Sequence, residues 1–155
     1  MTKHYLILQT KELIDSKFGG NIRTRVCGVC KLNNQYLLAN HHGINELGDF
    51  WCAPGGGLHF GESIQDGLKR EFLEECSLEI EVGDFLNIFE FIQPPLHAIE
   101  LFYEVKMVKG DLKLGYDPET GNKILKEVKW MDLGAIERLK KEEIHSFFHP
   151  LLRMY

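Results

Sequence analysis

Residues Gly55 to Ile80 read GGGLHFGESIQDGLKREFLEECSLEI, and this stretch restricts the fold more than any other. A run of three glycines lets the backbone approach a neighbour closely, and it leads straight into a segment with helical periodicity. Ser63 followed three residues later by Asp66 resembles a capping box, with Asp in place of the usual Glu or Gln, and predicts a helix over Ser63 to Cys76. At about 100° of rotation per residue, Ile64, Leu68 and Phe72 lie about 20°, 60° and 100° round from Glu71, a stripe suited to burial. On the same count Glu74 and Glu75 fall at about 300° and 40°, so three carboxylates border that stripe. Glu75 stands in line with Ile64 and Leu68, where a plain core helix would carry Leu. Like charges at these spacings repel by about 0.2–0.5 kcal/mol per pair on an exposed helix, and by more when partly buried.

The pattern alone admits two readings. One is a solvated acidic face near a fraying helix end. The other is a divalent-cation site: carboxylates on a rigid helix facing a glycine loop offer the hard oxygen donors that Mg²⁺ or Mn²⁺ prefers. Arg70, one turn from Glu74 and beside Glu71, is placed to hold a carboxylate. Gly67 clears space next to the cluster. Both details point to the second reading.

The rest of the chain reads as one domain over residues 1–155, since 155 residues leave little room for a second core. Runs rich in β-branched and aromatic residues predict a hairpin from Arg23 to Ala39, turning at Asn33-Asn34, and strands near Ile80 to Gln93, Ala98 to Val108 and Ile124 to Met131. A polar helical region is expected around Leu133 to Phe148, and the sum is a mixed sheet with helices packed on it. No apolar run is long enough for a membrane span, and the N-terminal segment lacks a small-residue cleavage site, so the cytoplasm is the expected location. The net charge of -5 argues against a nucleic-acid groove. Cys27 and Cys30 have CxxC spacing, but in a strand an odd separation sends the two sulfurs to opposite faces, so buried free thiols are expected rather than a zinc site.

From Gly56 the residues fit Gx5Ex7REUxEExGU, where U is a bulky apolar residue: Gly56, Glu62, Arg70-Glu71, Phe72, Glu74-Glu75 and Leu78. This resembles the Nudix box of the MutT-like Nudix hydrolases. Trp51 and Pro54-Gly55-Gly56 resemble the family's lead-in, and Glu127 to Trp130 its closing strand. The departure is Ser77, which stands where the family has glycine. A left-handed serine there costs on the order of 1 kcal/mol, unless the helix ends differently, and neither outcome removes a ligand.

The resemblance implies an α/β/α sandwich around a mixed β-sheet and metal-dependent hydrolysis of the diphosphate linkage in a nucleoside diphosphate derivative. The substrate class is a sugar nucleotide or an ADP-ribose-like molecule, else a nucleoside triphosphate. It implies Mg²⁺ or Mn²⁺ held by Glu71, Glu74 and Glu75 with a backbone carbonyl of Gly55 or Gly56. Arg70 would orient the cluster, Glu71 would double as a base, and Glu62 would be structural. Glu119 and Glu127 are alternatives for a further base or ligand, with Glu100 and Glu104 set aside as strand residues facing solvent. Arg23 and Arg25 share a strand face and are candidates to meet phosphates. His41 and His42 read as a loop pair, and Trp51 and Phe91 as core aromatics rather than base-stacking platforms. Pro94 lies beyond the box at a spacing reminiscent of ADP-ribose-cleaving members, and reads equally as a turn between strands. The expected partner is a small nucleotide, and a homodimer stays open. A degenerate nucleotide-binding module and a metal-stabilised structural domain are the rivals, and the intact REFLEE run favours the enzyme.

Overall fold

The computed structural model describes residues 3–121 and 123–152. The first strand, β1 (Ile22–Leu32), turns at Asn33 and Asn34, both with left-handed backbone, into β2 (Gln35–His41). Asparagine tolerates that conformation because its short polar side chain bonds locally, which is why this pair makes a two-residue hairpin turn. The two strands pair only beside the turn, at Lys31 with Tyr36 and Leu32 with Gln35. Farther from it, β1 pairs instead with the glycine strand β4 (Gly55–Gly57), Arg25 facing Gly57 and Cys27 facing Gly55.

On its other edge β1 runs parallel to β6 (Leu96–Lys109), in register from Ile22 with His97 to Cys30 with Val105. β6 pairs antiparallel with the long edge strand β5 (Glu79–Gln93). The Pro94-Pro95 turn joins these two strands, as the turn alternative expected. β2 carries short β3 (Trp51–Cys52) on one side and β7 (Leu125–Asp132) on the other. The sheet is therefore mixed, its strands running in the order β3-β2-β1-β6-β5.

Two cores sandwich it. One joins Val26, Leu37 and Val105 to Leu68, Phe72 and Cys76 of α2 (Ile64–Cys76). The helix can lie this close because Gly28 leaves room for the Phe72 ring, whose Cε2 would stand 2.4 Å from an added Cβ. The opposite core gathers Cys27, Phe102 and Trp51 with Ile136 and Phe148 from the C-terminal segment. Cys27 and Cys30 fall in different cores, as their odd spacing requires, and all four cysteines are free and buried.

Two elements differ from expectation. The region from Leu133 to Phe148 is not one helix: it breaks into α3 (Leu133–Glu137) and two 3₁₀ turns, Lys141–Glu143 and Ser146–Leu151. Between the first two, the backbone at Lys140 is extended, and the chain at Ile144 bridges to Trp51. Burial of Ile144 and Phe148 in the sheet's core overrides local helical preference. The N-terminal segment, for which the sequence offered no element, is a helix, α1 (Lys3–Phe18). Among the described residues, no helix is long and apolar enough to cross a membrane.

Candidate active site

α2 begins where the capping signal placed it. The Ser63 side chain accepts the Asp66 N–H at 3.1 Å and donates to the Asp66 carboxylate at 2.8 Å. At the far end Ser77 adopts φ 59, the left-handed conformation, with its N–H on the Leu73 carbonyl and the Leu78 N–H on that of Phe72. The serine thus takes the strained backbone that a glycine would adopt freely.

Between these caps, the helix turns its carboxylates toward β4. Glu71 and Glu75 are buried, at 7% and 5% exposure, and Glu74 is half-buried. The Glu71 carboxylate lies directly over Gly56, where an added Cβ would come within 2.4 Å of Oε1. The Gly55 N–H donates to Glu75 Oε2 at 3.1 Å. The glycine run is thus the floor on which the carboxylates rest.

Arg70 ties the group together. Its Nε and Nη2 donate to the two oxygens of Glu62 at 2.6 and 3.0 Å, and Nη2 also donates to the Gly57 carbonyl at 3.0 Å. Nη1 donates to Glu71 at 2.7 Å and to Glu74 at 3.2 Å. The Arg70 hydrogen bonds hold the Glu62 carboxyl down at about 2, so Glu62 stays ionised and clamps the loop to the helix. Glu71 behaves oppositely. Burial, then the neighbouring Glu75 charge, push its carboxyl up to about 8, and burial also raises Glu74.

The carboxylates form one wall of a cavity of about 440 Å³. Arg23, Arg25 and Glu119 also line it, whereas Glu127 does not. Glu127 is exposed on β7 beside Lys129 at 3.6 Å. Arg23 stacks over the Phe18 ring at 3.8 Å from its centroid and lies 3.8 Å from Glu119. Glu119 in turn lies 3.9 Å from His59. Burial lowers the Arg23 guanidinium to about 10, so it is still a cation at neutral pH.

Three readings change. Glu100 does not face solvent: it is 3% exposed, lines the cavity and bonds Arg25. Glu104 is exposed, as expected. Phe91 lines the cavity instead of filling a core, while Trp51 is core as read. His41 is the last residue of β2 and lies 3.8 Å from Glu75; His42 is in the loop, 3.1 Å from Asp49. Alternation could have flagged Glu100, since it shares a face with buried Ala98 and Phe102 at period two. The apolar residues on both faces of that strand hid the signal. Nothing local marked His145, Phe18 or His41, whose places depend on distant segments.

Among the described residues, no three acidic, histidine or cysteine side chains already converge as a preformed metal cage. Arg70 donates to both Glu71 and Glu74, and Glu75 accepts from the Gly55 amide. The donor set nevertheless suits a hard cation. Burial, and then the charge of neighbouring Glu75, disfavour the Glu71 carboxylate, a cost that a divalent ion would relieve.

The NUDIX domain model matches residues 22–152. The chain is 27% identical over 116 residues to the ADP-ribose pyrophosphatase of Methanocaldococcus jannaschii, an overlap of 74% of this chain and 64% of that protein. It is 27% identical over 84 residues to the 8-oxo-dGTP diphosphatase of Proteus vulgaris, covering 54% and 75%. The chain thus spans just under two thirds of the first relative's length. In fold it is similar to the NUDIX hydrolase from Nitrosomonas europaea, with TM-score 0.69, 19% identity and coverage of 84% and 86%.

Proposed function

The chain belongs to the Nudix family, and from that premise we propose that it is a metal-dependent pyrophosphohydrolase of nucleoside diphosphate derivatives. The observation that carries this is the placement of Glu71, Glu74 and Glu75 beside Arg70 at the wall of a cavity that Arg23 and Arg25 also line. Its substrate is a nucleoside diphosphate with a sugar on the distal phosphate, of the sugar-nucleotide or ADP-ribose kind, and the products are two monophosphates. In the reaction a water oxygen bonds to one phosphorus and the bond from that phosphorus to the bridging oxygen breaks.

Glu71, Glu74 and Glu75 would hold Mg²⁺ or Mn²⁺, with a carbonyl of Gly55 or Gly56 completing the donor set. When bound, such an ion neutralises phosphate charge and lowers the pKa of water. Arg70 orients the carboxylates and Glu62 fixes Arg70. Arg23 and Arg25 draw the diphosphate toward the carboxylate wall, offsetting the repulsion between an anionic substrate and an acidic protein. Glu119, rather than Glu127, is the further base or ligand in this reading, because only Glu119 lines the cavity. The free buried thiols fit work in the reducing cytoplasm.

The test is a substrate panel of ADP-ribose, nucleotide sugars, dinucleoside polyphosphates and triphosphates, each assayed with Mg²⁺ or Mn²⁺ and again with chelator. Two monophosphates from a sugar-linked substrate, abolished by chelator, are expected. Cleavage of triphosphates alone would overturn the sugar-nucleotide assignment, and turnover untouched by chelator would overturn the metal-dependent mechanism.

A further inference from the structure

Arg25, Glu100 and His145, which line the cavity together with the carboxylates, form a charged triad among themselves. Arg25 Nη1 donates to Glu100 Oε1 at 2.8 Å, and Glu100 Oε2 lies 2.6 Å from Nε2 of His145. The Phe147 N–H donates to Nδ1 of His145 at 3.0 Å. Nδ1 therefore carries the lone pair and Nε2 the proton, so the imidazole donates to Glu100. Phe102 and Phe89 pack against the imidazole, with centroids at 4.9 and 5.2 Å. Glu100 and His145 are 3% and 5% exposed.

Such a triad is poorly explained as a stabilising device. A buried ion pair recovers its desolvation cost only with excellent geometry, and apolar side chains of similar volume commonly serve stability as well or better. Here the neighbours are already apolar, and the triad spans three separate segments: β1, β6 and the start of the last 3₁₀ turn. It also has one open end. Arg25 keeps 23% of its side-chain surface accessible and lines the cavity together with Glu71 and Glu75. Among the described residues its side-chain hydrogen bonds go to Glu100 alone, so the remaining guanidinium donors are available to a ligand. Arg23 contrasts with it: it lies on the Phe18 ring face and against Gly57, its nearest carboxylate, Glu119, at 3.8 Å.

We propose that Glu100 and His145 are positioning residues that lock the Arg25 guanidinium in one orientation, so that its free donors bind oxygens of the substrate's diphosphate. The proposal rests on the hydrolase reading for its substrate, and it divides the two arginines by function. Arg25 is preorganised and fixes the phosphates in place, while Arg23 adapts. A fork of fixed N–H donors suits a phosphate's paired oxygens, and preorganisation reduces the ordering cost of binding.

The experiment compares the parent with Glu100→Gln, His145→Phe and His145→Gln, measuring kcat and KM on the cleaved substrate. Calorimetry with α,β-methylene-ADP in chelator reads binding without turnover. Glu100→Gln and His145→Phe are expected to raise KM and the analogue's Kd together, by about tenfold to a hundredfold as for a misplaced clamp, with kcat within about threefold. His145→Gln, whose amide can still donate to Glu100, is expected to restore most of the affinity. In the parent, a downfield imidazole proton from His145 should be protected from exchange, absent in both His145 variants, and shifted by the analogue. Unchanged KM and Kd in folded variants would overturn the proposal. If Glu100→Gln does not fold, the two His145 variants and the imidazole signal decide the question by the same outcomes. A parent that binds the analogue through this triad yet cleaves no diphosphate would sink the hydrolase reading and leave this one standing.

Discussion

At Glu71 the fold holds a carboxyl group where its charge is least favoured. Burial and the Glu75 charge raise it from its ordinary value of 4.5 to about 8, which fixes the sign of its effect on stability. Between those values the unfolded chain has released the proton and the folded chain has kept it, so stability falls as pH rises through the window. In chelator, the melting temperature of the parent should therefore decline between about pH 4.5 and 8. Glu71→Gln should flatten that decline and melt higher at pH 7.5, while losing turnover by orders of magnitude. A variant that melted lower across the window would refute the assigned strain. The residues of this wall were legible because their signal is local: REFLEE at fixed spacing from a glycine run places every member on one helix face. Glu100 and His145 were not, because their meaning lies in a contact between segments far apart in the chain, one of them within a stretch that read as continuous helix.

Among the elements, α2 was the most legible and its end the most informative. Ser63 and Asp66 start it by the expected hydrogen bonds, and Ser77 ends it at φ 59. A non-glycine residue in that conformation costs about 1–2 kcal/mol. Substituting glycine also adds about 0.4–1 kcal/mol of freedom to the unfolded chain, offsetting part of the gain. Ser77→Gly should accordingly stabilise by about 0.5–1 kcal/mol, or about 1–4 °C in melting temperature, with kcat unchanged, since no ligand moves. Thermal unfolding checks this, and a lower melting temperature would show that the serine side chain contributes more than its backbone costs. The other helices were harder to read. In α1 the apolar residues Tyr5, Leu6, Ile7 and Leu8 run consecutively, without the spacing of a single buried face; in the structure Ile7 is buried while Tyr5, Leu6 and Leu8 are exposed. The C-terminal region has helical composition, but its large apolar residues are drawn singly into the sheet's core, and short turns serve that better than a straight helix.

Over the whole molecule the net charge is -5, and acidic side chains gather at one wall, where Arg70 bridges Glu62, Glu71 and Glu74. General screening by salt and specific occupation by a cation relieve that excess differently. Monovalent salt screens exposed charges farther apart than about 10 Å at 0.1 M and acts much less on buried ones. Glu71 and Glu75 are buried, so NaCl should shift the melting temperature little. A bound divalent ion acts on those residues directly, and at a hundredfold excess over its Kd it adds about 2.7 kcal/mol, or about 5–11 °C at this chain length. Mg²⁺ or Mn²⁺ should therefore raise the melting temperature well above NaCl of equal ionic strength. Glu74→Gln and Glu75→Gln should each keep the fold, remove most of that increment, and lose turnover in parallel. Since Arg70 donates to both Glu71 and Glu74, Arg70→Gln should also weaken the metal's effect by releasing the carboxylates from a common orientation. If NaCl matched the divalent ion, or if Glu75→Gln retained the full increment, the carboxylates would be a diffuse acidic surface and the metal assignment would fall with them.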